Sequence, residues 1–589
     1  MQFSRLVRAF ERLEETASSR EMTAILADLL REAEPDELAT LCYITLGEIA
    51  AGYREITLGV GVRTASAAIA SAFGLPQEMV DAAVRSAGDA GDAAAALGGA
   101  ETRIFPGVFT FGDALTVDDV HRGLLRVAVA AGPGSEDVRR EILAAMIAGA
   151  AAAERRYLLR LATGTMRLGV GDMTLLDALA TAFLGSKKRR PLLEHAYNLC
   201  SDIGYVAATL AAGGPGAVER IGITLFRPVR PMLTQRVSRF GEIFEKIGSA
   251  VVAAEEKYDG ERIQAHKDGE EVRLFSRRLT DVTGQFPDIV DLVRTHIAAD
   301  SCILDGEAVA YDPETGSYHP FQRLMRRRRK YRIAEFAERI PATYRVFDVL
   351  LADGAPHLAA PYPERRRILE ALLRPGAFIA ASGRVVTTDP AVVADFFEAC
   401  IGRGLEGIVC KSTASGSSYR AGGREWQWIK WKKSYGPGLA DTLDLVVVGA
   451  NAGRGKRAGT YGSLLCAAYN HEEDIFQTVC KLGTGFTDEE LRALPEMFGD
   501  AQAGSMPARV MATDQARPDV WFVPRYVLEV LGSEITESPV HTCSWDAGRQ
   551  RGLALRFPRF VRWRREKDPE QATTAAEVAA MHRGRGKAR

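Results

Sequence analysis

Apolar residues recur at helical spacing through the first third of the chain, and the segments 144–161 and 175–183 are the clearest cases. Both carry apolar side chains at i, i+3 and i+4, and both are rich in Ala and Leu, which favour helices. The pattern therefore predicts that residues 1–215 are almost wholly helical.

A short motif occurs twice in this helical part. LGVG stands at 58–61 and again at 168–171, each time ahead of an Ala-rich helical segment. One interpretation is coincidence in a chain rich in Gly and Ala. The other is a pair of related helical units that present backbone amides at helix N-termini, where phosphates bind well.

The pattern changes after the stretch 211–216, whose Gly and Pro residues predict a linker. Short β-branched or apolar runs then alternate with helical stretches such as 364–373, which predicts an α+β domain. A second break at 434–438 precedes a strand-rich region with the spacing of a small β-barrel. The apolar runs of these two regions are 250–254, 303–309, 344–350 and 407–410, then 444–450, 464–469, 520–523 and 526–530.

These patterns predict a multidomain protein. An all-α domain covers 1–215, an α+β domain 216–435, a β-barrel 436–570, and a C-terminal helix with a basic tail 571–589. Thr574 and Glu577 have the spacing of a capping box for that last helix. A chain of 589 residues is long enough for several domains, because single domains commonly span roughly 100–200 residues.

Composition adds little about partners. Apolar residues make up 47% and charged residues 26% of the chain, as in soluble globular proteins, and 75 Lys and Arg balance 76 Asp and Glu. Evidence for a nucleic-acid partner must therefore come from local clusters. Six cations at 323–330 favour phosphate contact over a merely solvated helix face, whereas at 186–190 both interpretations stay open.

The location expected from the sequence is cytoplasmic. No apolar run approaches the roughly 18 residues that a membrane span needs, and the N-terminus has no signal-peptide pattern. The eight cysteines are scattered and form no CxxC pair, which favours buried thiols in a reducing compartment over disulfides or zinc.

The candidate chemistry begins at Lys257, in the segment KYDGER. A lysine can attack only as the neutral amine. Nearby cations favour that form by lowering the pKa of the lysine, and a carboxylate can hold a metal ion beside it. Alone, the segment is compatible with a surface turn in which Gly260 permits the bend. LDGE at 304–307 and EGIVCK at 406–411 add carboxylates at the ends of β-like runs, and WIKWKK at 428–433 places two lysines on one strand face. Metal-binding carboxylates, a lysine nucleophile and paired cations are what nucleotidyl transfer requires.

This ordered set, together with FSRR at 275–278 and FDVL at 347–350, resembles the motif series of the ATP-dependent DNA ligases, members of the covalent nucleotidyltransferase superfamily. LRFPRFVR at 555–562 is similar to the last motif of that family. DPEQATT at 568–574 and RLGVG at 167–171 resemble the replicative branch shared by archaea and eukaryotes. The resemblance covers nearly the whole chain and implies an all-α DNA-binding domain, an α+β nucleotidyltransferase (adenylation) domain and an OB-fold β-barrel.

The resemblance also implies roles for individual residues. Lys257 would attack the α-phosphate of ATP and hold AMP as a phosphoramidate. Glu255 would accept a hydrogen bond from the adenine amine and Phe347 would stack on the base. Arg262 and Arg277 would meet the ribose and phosphate side. Further implied groups are the acidic metal-site residues Asp259, Glu307 (also at the nucleotide) and Glu406, the triphosphate-binding Arg424, Lys430 and Lys432, and Arg556, Arg559 and Arg562 on a mobile C-terminal domain.

The implied activity is the sealing of 5′-phosphate/3′-hydroxyl nicks in duplex DNA during replication, repair and recombination. ATP would donate AMP, Mg²⁺ or Mn²⁺ would be the metal, and the protein would be a monomer with a sliding clamp as a further candidate partner. Two departures from the family pattern, Glu256 in place of an aromatic or apolar residue and Arg278 in place of Asn, fall at positions without assigned chemistry.

Three alternative functions are less consistent with the sequence. RNA ligases and capping guanylyltransferases share the lysine motif and the barrel, but they need no long helical region for gripping a duplex. NAD-dependent ligases carry a zinc-binding CxxC module, which this sequence lacks. A non-catalytic DNA-binding scaffold would have no chemical need for the lysine, the carboxylates and the cation pair together. Use of ADP, GTP or NAD as donor stays open.

Overall fold

The computed structural model describes most of the chain, in two compact units, Met1–Lys430 and Trp431–Arg589. Several features of the sequence, namely Arg167, the cations at 328–330, Lys433, the break at 434–438 and the tail at 587–589, lie outside the described residues. The domain boundaries at 215, 435 and 570 stay predictions. The residues that the structure describes are 1–16, 18–97, 105, 108, 112, 114–166, 168–237, 239–312, 314–327, 333–432, 442–453 and 460–586.

The N-terminal part of the first unit is helical, which confirms the prediction from the apolar spacing. Its described residues contain no β-strand before Leu233, and the apolar faces of its helices meet in one hydrophobic core. The helices are α1 (Phe3–Glu15), α2 (Ser19–Arg31), α3 (Leu38–Thr45), α4 (Val62–Phe73), α5 (Gln77–Ala87), α6 (Ala90–Ala96), α7 (Val117–Val129), α8 (Ser135–Gly149), α9 (Ala152–Ala162), α10 (Asp172–Leu184), α11 (Arg190–Cys200) and α12 (Ile203–Glu219).

The stretch 211–216 lies within α12, so the prediction of a linker there is wrong. Gly214 interrupts the helix with φ 65° and ψ −169°, and Pro215 begins the helical turns that follow. Proline lacks an amide hydrogen, and the first turn of a helix tolerates that lack because its amides have no intrahelical acceptor. The Gly-Pro pair therefore marks a kink, and the chain leaves the helix only after Glu219.

The two LGVG segments have the same local structure. Gly59 and Gly169 lie in the left-handed region, with φ of 62° and 68°, and Gly61 and Gly171 precede α4 and α10 as extended N-cap residues. Each of these helices also ends at a left-handed glycine. This matched geometry favours two related helical units over coincidence. The identity continues into the helices at Thr64 and Thr174, Ala68 and Ala178, Ala70 and Ala180, Ala72 and Ala182, and Phe73 and Phe183.

Strands and helices are mixed in the rest of the first unit, as the α+β pattern predicts. The predicted runs at 250–254, 303–309, 344–350 and 407–410 each fall on or overlap a strand. The elements are β1 (Leu233–Arg236), α13 (Glu242–Lys246), β2 (Val252–Lys257), β3 (Glu261–Asp268), β4 (Glu271–Ser276), α14 (Pro287–His296), β5 (Ser301–Asp312), β6 (Ser317–Tyr318), α15 (Phe321–Met325), α16 (Ile333–Arg339), β7 (Ala342–Ala352), β8 (Ala355–Pro356), α17 (Tyr362–Leu372), β9 (Ile379–Ala381), β10 (Arg384–Thr387), α18 (Pro390–Gly402), β11 (Gly407–Ser412) and β12 (Arg424–Lys432).

These strands form two sheets. One has the order β1-β12-β11-β2-β10, and the other has the order β4-β3-β5-β7-β8 with β6 beside β5 and β9 beside β7. Apolar side chains of β3, β4, β5 and β7 form a core with α14 and α17. Lys257 belongs to the first sheet and Glu307 to the second, so the candidate site draws on both.

The second unit is rich in strands, and its predicted runs at 444–450, 464–469, 520–523 and 526–530 all fall on strands. In its larger sheet one strand, β13, pairs with three others, which are β14, β18 and β19; the smaller sheet has the order β20-β22-β21. The elements are β13 (Leu443–Ala452), β14 (Tyr461–Asn470), β15 (Ile475–Leu482), α19 (Asp488–Met497), β16 (Gln502–Ala503), β17 (Val510–Met511), β18 (Val520–Phe522), β19 (Val527–Leu531), β20 (Glu534–Ser538), β21 (Cys543–Asp546), β22 (Arg551–Arg556), β23 (Arg559–Trp563) and α20 (Ala575–Gly586).

Three smaller predictions concern the surface and the thiols. The capping box is present, because Glu577 N donates to Thr574 Oγ1 at 3.2 Å and Thr574 N donates to the Glu577 carboxylate at 2.7 Å. All eight cysteines are buried free thiols. Within the described ranges, none of the helices combines the length and the apolar character that crossing a membrane requires.

Candidate active site

Lys257 is the last residue of β2 and lies beside the start of β11. The two strands are antiparallel, with Lys257 opposite Gly407, and Glu406 N donates to the Lys257 carbonyl at 2.9 Å. This pairing brings the Glu406 carboxylate into an ion pair with the Lys257 ammonium, and the two side chains remain 21% and 26% exposed. The lysine of KYDGER is therefore held by a carboxylate from a neighbouring strand and is accessible to a ligand.

Gly260 follows in the turn between β2 and β3. A Cβ there would lie 2.2 Å from the Ala308 carbonyl oxygen and 2.9 Å from Glu307 Cγ, and the φ of this glycine is outside the left-handed region. The residue is thus required by the close approach of β5, since a side chain would push that strand away. The sequence predicted a glycine-dependent bend here, and the structure supplies a steric reason instead.

Glu307 places a second carboxylate near Lys257. It lies on β5, opposite Arg262 of β3. Burial raises the pKa of Glu307 to about 7. The negative charge of Glu406 also raises this pKa, whereas the positive charges of Lys257 and Arg262 lower it in part. Carboxylate oxygens are the ligands that a hard divalent cation prefers, so Glu307 and Glu406 fit the acidic side of a metal site that also uses phosphate oxygens.

Asp259 is placed differently from these two carboxylates. Its carboxylate accepts a hydrogen bond from Phe321 N at 3.2 Å, at the start of α15. Across the described ranges, no three or more His, Cys, Asp or Glu side chains are grouped as a metal would require. The structure therefore brings together Glu307 and Glu406, whereas the hydrogen bond of Asp259 is directed at α15.

Arg262 is held rigidly on β3. Its Nε and Nη2 donate to the two oxygens of the buried Asp305 at 3.0 and 2.6 Å, and Nη1 donates to the Met232 carbonyl at 2.7 Å. Tyr419 Oη donates to the same carboxylate at 2.7 Å. A bidentate pair of this kind fixes the plane of the guanidinium. Arg262 also lies with Cζ 5.3 Å from the centre of the Phe347 ring, which joins it to the next group.

An aromatic group surrounds the ammonium of Lys411. Phe347 is half-buried and meets Trp428 edge to face, with ring centres 6.1 Å apart. Lys411 Nζ lies 4.4 Å from the centre of the Trp428 ring, 5.1 Å from Phe347 and 4.9 Å from Tyr362. Burial lowers the pKa of Lys411, and the Glu255 carboxylate opposes this shift. The predicted base-stacking ring is thus part of a cage that holds a lysine.

Glu255 is only 2% exposed and lies two residues before Lys257 on β2. Tyr362 Oη and Arg366 Nη1 donate to one oxygen at 2.5 and 3.1 Å. Ser382 Oγ and Lys411 Nζ donate to the other at 3.1 and 2.8 Å. The sequence motifs predict no role for these four donors. A signal was available for two of them, because Tyr362 and Arg366 stand four residues apart and so share one face of α17.

The remaining predicted cations are placed by their strands and turns. Arg277 is exposed in the turn after β4, and Arg424 is exposed at the first residue of β12. Lys430 and Lys432 are half-buried on β12 and alternate with the buried Trp431, which confirms that the two lysines share one strand face.

Glu256, one of the departures from the family pattern, has partners of its own. Its carboxylate forms an ion pair with Arg403 at 2.5 Å, accepts from Gly383 N at 3.2 Å and accepts from Tyr258 Oη. The charge at this position is therefore neutralised by Arg403, the residue after α18, and it ties β2 to Gly383, the residue before β10.

The two basic clusters divide into structural and exposed cations. Arg327 is 1% exposed, donates to both oxygens of Asp288 at 2.6 and 3.0 Å, and lies over the Phe286 ring. It is therefore a structural residue, and the prediction of phosphate contact is wrong for it. Arg323 and Arg326 are exposed. In the cluster at 186–190, Lys187 and Arg190 each lie 3.4 Å from Asp177, and Lys187, Lys188 and Arg189 are exposed.

In the second unit, the arginines of the LRFPRFVR segment surround an exposed aromatic ring. Arg556 and Arg559 are exposed, and Phe557 between them has φ 51° and is 73% exposed. Arg562 is paired with Glu529 at 2.6 Å. Two of the three predicted cations are thus available at the surface of this unit, and the third is bound to a carboxylate.

Family models match most of the chain. The model described as "DNA ligase N terminus" matches residues 2–180, "ATP dependent DNA ligase domain" matches 231–432, and "ATP dependent DNA ligase C terminal region" matches 457–567.

Relatives match along almost their whole length. The chain is 44% identical to "DNA ligase 2" of Thermofilum pendens, over 99% of this chain and 98% of the relative. It is 40% identical to "DNA ligase 1" of Methanosarcina acetivorans, over 99% and 100%. A solved structure described as "Pmar-Lig_PreS3" is 15% identical with a TM-score of 0.52, covering 95% of this chain and 99% of that one, which bears on the fold alone.

Proposed function

The chain belongs to the ATP-dependent DNA ligases, and from that membership we infer that Lys257 carries the adenylyl group during nick sealing. The observation that carries the assignment is that two carboxylates lie near Lys257. Glu406 is ion-paired with its ammonium, and the Lys257 charge acts on Glu307 of the second sheet, whose pKa it lowers against burial. Lys411, the lysine of the EGIVCK motif, has a different setting, because it is buried in an aromatic cage.

The proposed reaction has three steps, as family membership implies. Lys257 loses a proton, for which Glu406 is an acceptor already in contact, and attacks the α-phosphate of ATP. A nitrogen–phosphorus bond forms and the bond to pyrophosphate breaks. The AMP then passes to the 5′-phosphate at the nick, and the 3′-hydroxyl attacks that phosphate and releases AMP. Lysine is regenerated, and each step exchanges one bond at one phosphorus.

The nucleotide contacts are assigned to residues around Lys257. Glu255 is proposed to accept from the adenine amine, Phe347 to stack on the base, and Arg262 and Arg277 to contact the ribose and phosphate side. The fixed plane of Arg262 supports this, because a guanidinium held by Asp305 keeps one orientation. The cations proposed for the triphosphate and the departing pyrophosphate are Arg424, Lys430 and Lys432.

Mg²⁺ or Mn²⁺ is proposed to bind at Glu307, Glu406 and Asp259, of which Asp259 also accepts a hydrogen bond from Phe321 N. Two carboxylates fit a cation that completes its shell with water and phosphate oxygens. Bound there, the ion would supply positive charge to the phosphates. The protein's own part is to present two carboxylates near Lys257, one from β5 and one from the residue before β11.

The DNA substrate is a nicked duplex, and the helical part is proposed to grip its phosphates without reading bases. The matched loops at Gly59 and Gly169 support this, because each leads into a helix whose first amides have no intrahelical acceptor and can bind a phosphate. The exposed Lys188 and Arg189 add charge on the same part of the chain. We also propose that the second unit contains an OB-fold and that a sliding clamp is a further partner. The protein is proposed to be a monomer in the cytoplasm.

One experiment tests the central assignment. The protein is incubated with a divalent metal and, in separate reactions, with α-labelled ATP, ADP, GTP or NAD, and the labelled residue is then located by mass spectrometry. We expect AMP on Lys257 with ATP, followed by transfer to nicked duplex and sealing. Label on a different lysine, or sealing without any covalent adduct, would refute the assignment.

A further inference from the structure

The carboxylate of Glu255 has no free acceptor site in this structure. An ionised carboxylate offers about four lone-pair positions. Tyr362 and Arg366 occupy one oxygen, and Ser382 and Lys411 occupy the other. A purine amine that donates to Glu255 must therefore displace one of these four donors.

Three of the donors are held in place by other contacts. Tyr362 N donates to Ser417 O at 3.0 Å, and the ring is buried. Arg366 also donates to Ser382 O at 2.7 Å and to Glu370 at 2.8 Å. Ser382 N donates to Val346 O at 2.8 Å. Displacing any of these from Glu255 would therefore work against contacts that hold α17 or the residue after β9.

Lys411 differs from the other three donors. Its ammonium also donates to the Phe347 carbonyl at 3.1 Å, so it keeps an acceptor when it leaves Glu255. It lies against the Phe347 ring, where the base is proposed to stack. A flexible four-carbon side chain can retract with less disturbance than a tyrosine ring or a main-chain-anchored serine.

From this arrangement we propose that Tyr362, Arg366 and Ser382 are positioning residues that fix the Glu255 carboxylate for the amine of adenine, and that Lys411 is the donor this amine displaces. The proposal rests on the assignment of Glu255 to the base in the proposed function. It adds the reason for base selectivity: guanine carries a carbonyl oxygen where adenine carries the amine, and a fixed carboxylate repels that oxygen.

The test compares two nucleotides that differ in one group. Single-turnover adenylylation of the full-length protein is measured with ATP and with purine riboside triphosphate, which lacks the exocyclic amine. The ratio of the two second-order rate constants reports the amine contact alone. Because this contact is made equally before and during the chemical step, it should appear in KM while the maximal rate is unchanged.

Tyr362→Phe removes one hydroxyl donor and keeps the ring. We expect the ATP preference to fall about tenfold, as for the loss of a hydrogen bond to a charged group. Ser382→Ala should lower it in the same direction and serves as the second variant if Tyr362→Phe unfolds. The matched control is Tyr157→Phe, which removes a tyrosine hydroxyl that donates to Glu14 at 3.0 Å in the helical part and should leave the ratio unchanged.

Lys411→Met separates the exchangeable donor from the fixed ones. We expect this variant to keep an ATP preference at or above that of the unaltered protein, because the amine no longer competes with an ammonium. A loss of ATP preference as large as that of Tyr362→Phe would contradict the displacement of Lys411 by the adenine amine. Thermal unfolding of each variant shows whether the fold is retained.

The outcomes distinguish this proposal from the one beneath it. If the unaltered protein uses both triphosphates equally, the assignment of Glu255 to the amine is wrong. A second outcome is that the unaltered protein prefers ATP and that both Tyr362→Phe and Ser382→Ala keep this preference in full. In that case Glu255 contacts the base, but the positioning role of Tyr362 and Ser382 is refuted.

Discussion

The Lys257 ammonium forms an ion pair with the Glu406 carboxylate, while the Glu406 amide donates to the Lys257 carbonyl at 2.9 Å. The two contacts tie the proposed nucleophile to β11 through both side chain and main chain. Because Lys257 is an ammonium in this ion pair and an ammonium has no lone pair, it must lose a proton before it can attack the α-phosphate.

Lys257→Ala is expected to abolish the covalent AMP adduct, because the attacking nitrogen is gone. The variant should still seal a nick that already carries AMP on its 5′-phosphate, since that step does not use the amine. Labelled ATP followed by denaturing electrophoresis measures the first property, and a pre-adenylylated nick the second. Lys246→Ala, which removes an exposed lysine of α13, is the control and should label normally. An AMP adduct on another lysine of the Lys257→Ala protein would contradict the assignment.

Glu307→Ala and Glu406→Ala are expected to slow sealing about 100-fold or more, because each removes a proposed metal ligand and the charge stabilisation that depends on it. The loss should be largest at low Mg²⁺ and partly recovered at high Mg²⁺. Rates across a magnesium titration give the measurement, and Glu245→Ala, at an exposed position of α13, is the control. A variant that turns over normally at low magnesium would show that its carboxylate has a structural role only.

Arg327→Ala is expected to change the stability of the protein, and Arg323→Ala is expected to change its DNA binding. Arg327 is buried against Asp288, so its removal should cost about 3 kcal/mol of unfolding free energy and leave the salt dependence of DNA binding unchanged. Arg323 is exposed, so its removal should leave stability unchanged. If Arg323 contacts a phosphate, its removal should make the slope of log affinity against log salt shallower by about 0.9. Thermal unfolding and nick binding at several salt concentrations separate the two effects, and the reverse pattern would contradict both assignments.

The pH dependence of stability should carry a contribution from Glu307. Its pKa in the folded protein is raised to about 7 by burial, above the ordinary value of 4.5. At pH below 4.5 the folded and unfolded states are both protonated. As pH rises from there to 7, the unfolded state ionises first, so this contribution to stability is progressively lost. Glu307→Gln cannot ionise, and its stability relative to the unaltered protein should therefore increase across this window. Unfolding midpoints between pH 5 and 8 measure it, and a constant difference would show that Glu307 does not titrate there.

The sequence by itself determined the order of elements and the identity of the chemical groups. Helical spacing in 1–215 and short apolar runs afterwards predicted where helices and strands form, because those periods follow from local backbone geometry. The motif around Lys257 and the carboxylates at Glu307 and Glu406 indicated nucleotidyl transfer, since few other reactions need those groups together. The second LGVG segment was visible in the sequence too, but only the matched φ values of Gly59 and Gly169 distinguish a repeat from coincidence.

Tertiary structure alone decided which of these groups meet. Strand register brings Glu406 to Lys257, and register depends on side-chain packing between strands that are distant in the chain. Asp259, in the turn after β2, instead accepts a hydrogen bond from the start of α15. Burial likewise separated Arg327 from its exposed neighbours, although the run at 323–330 is uniformly basic in sequence. The donors around Glu255 come from α17, β11 and the residue after β9, and no local pattern predicts that they converge on one carboxylate.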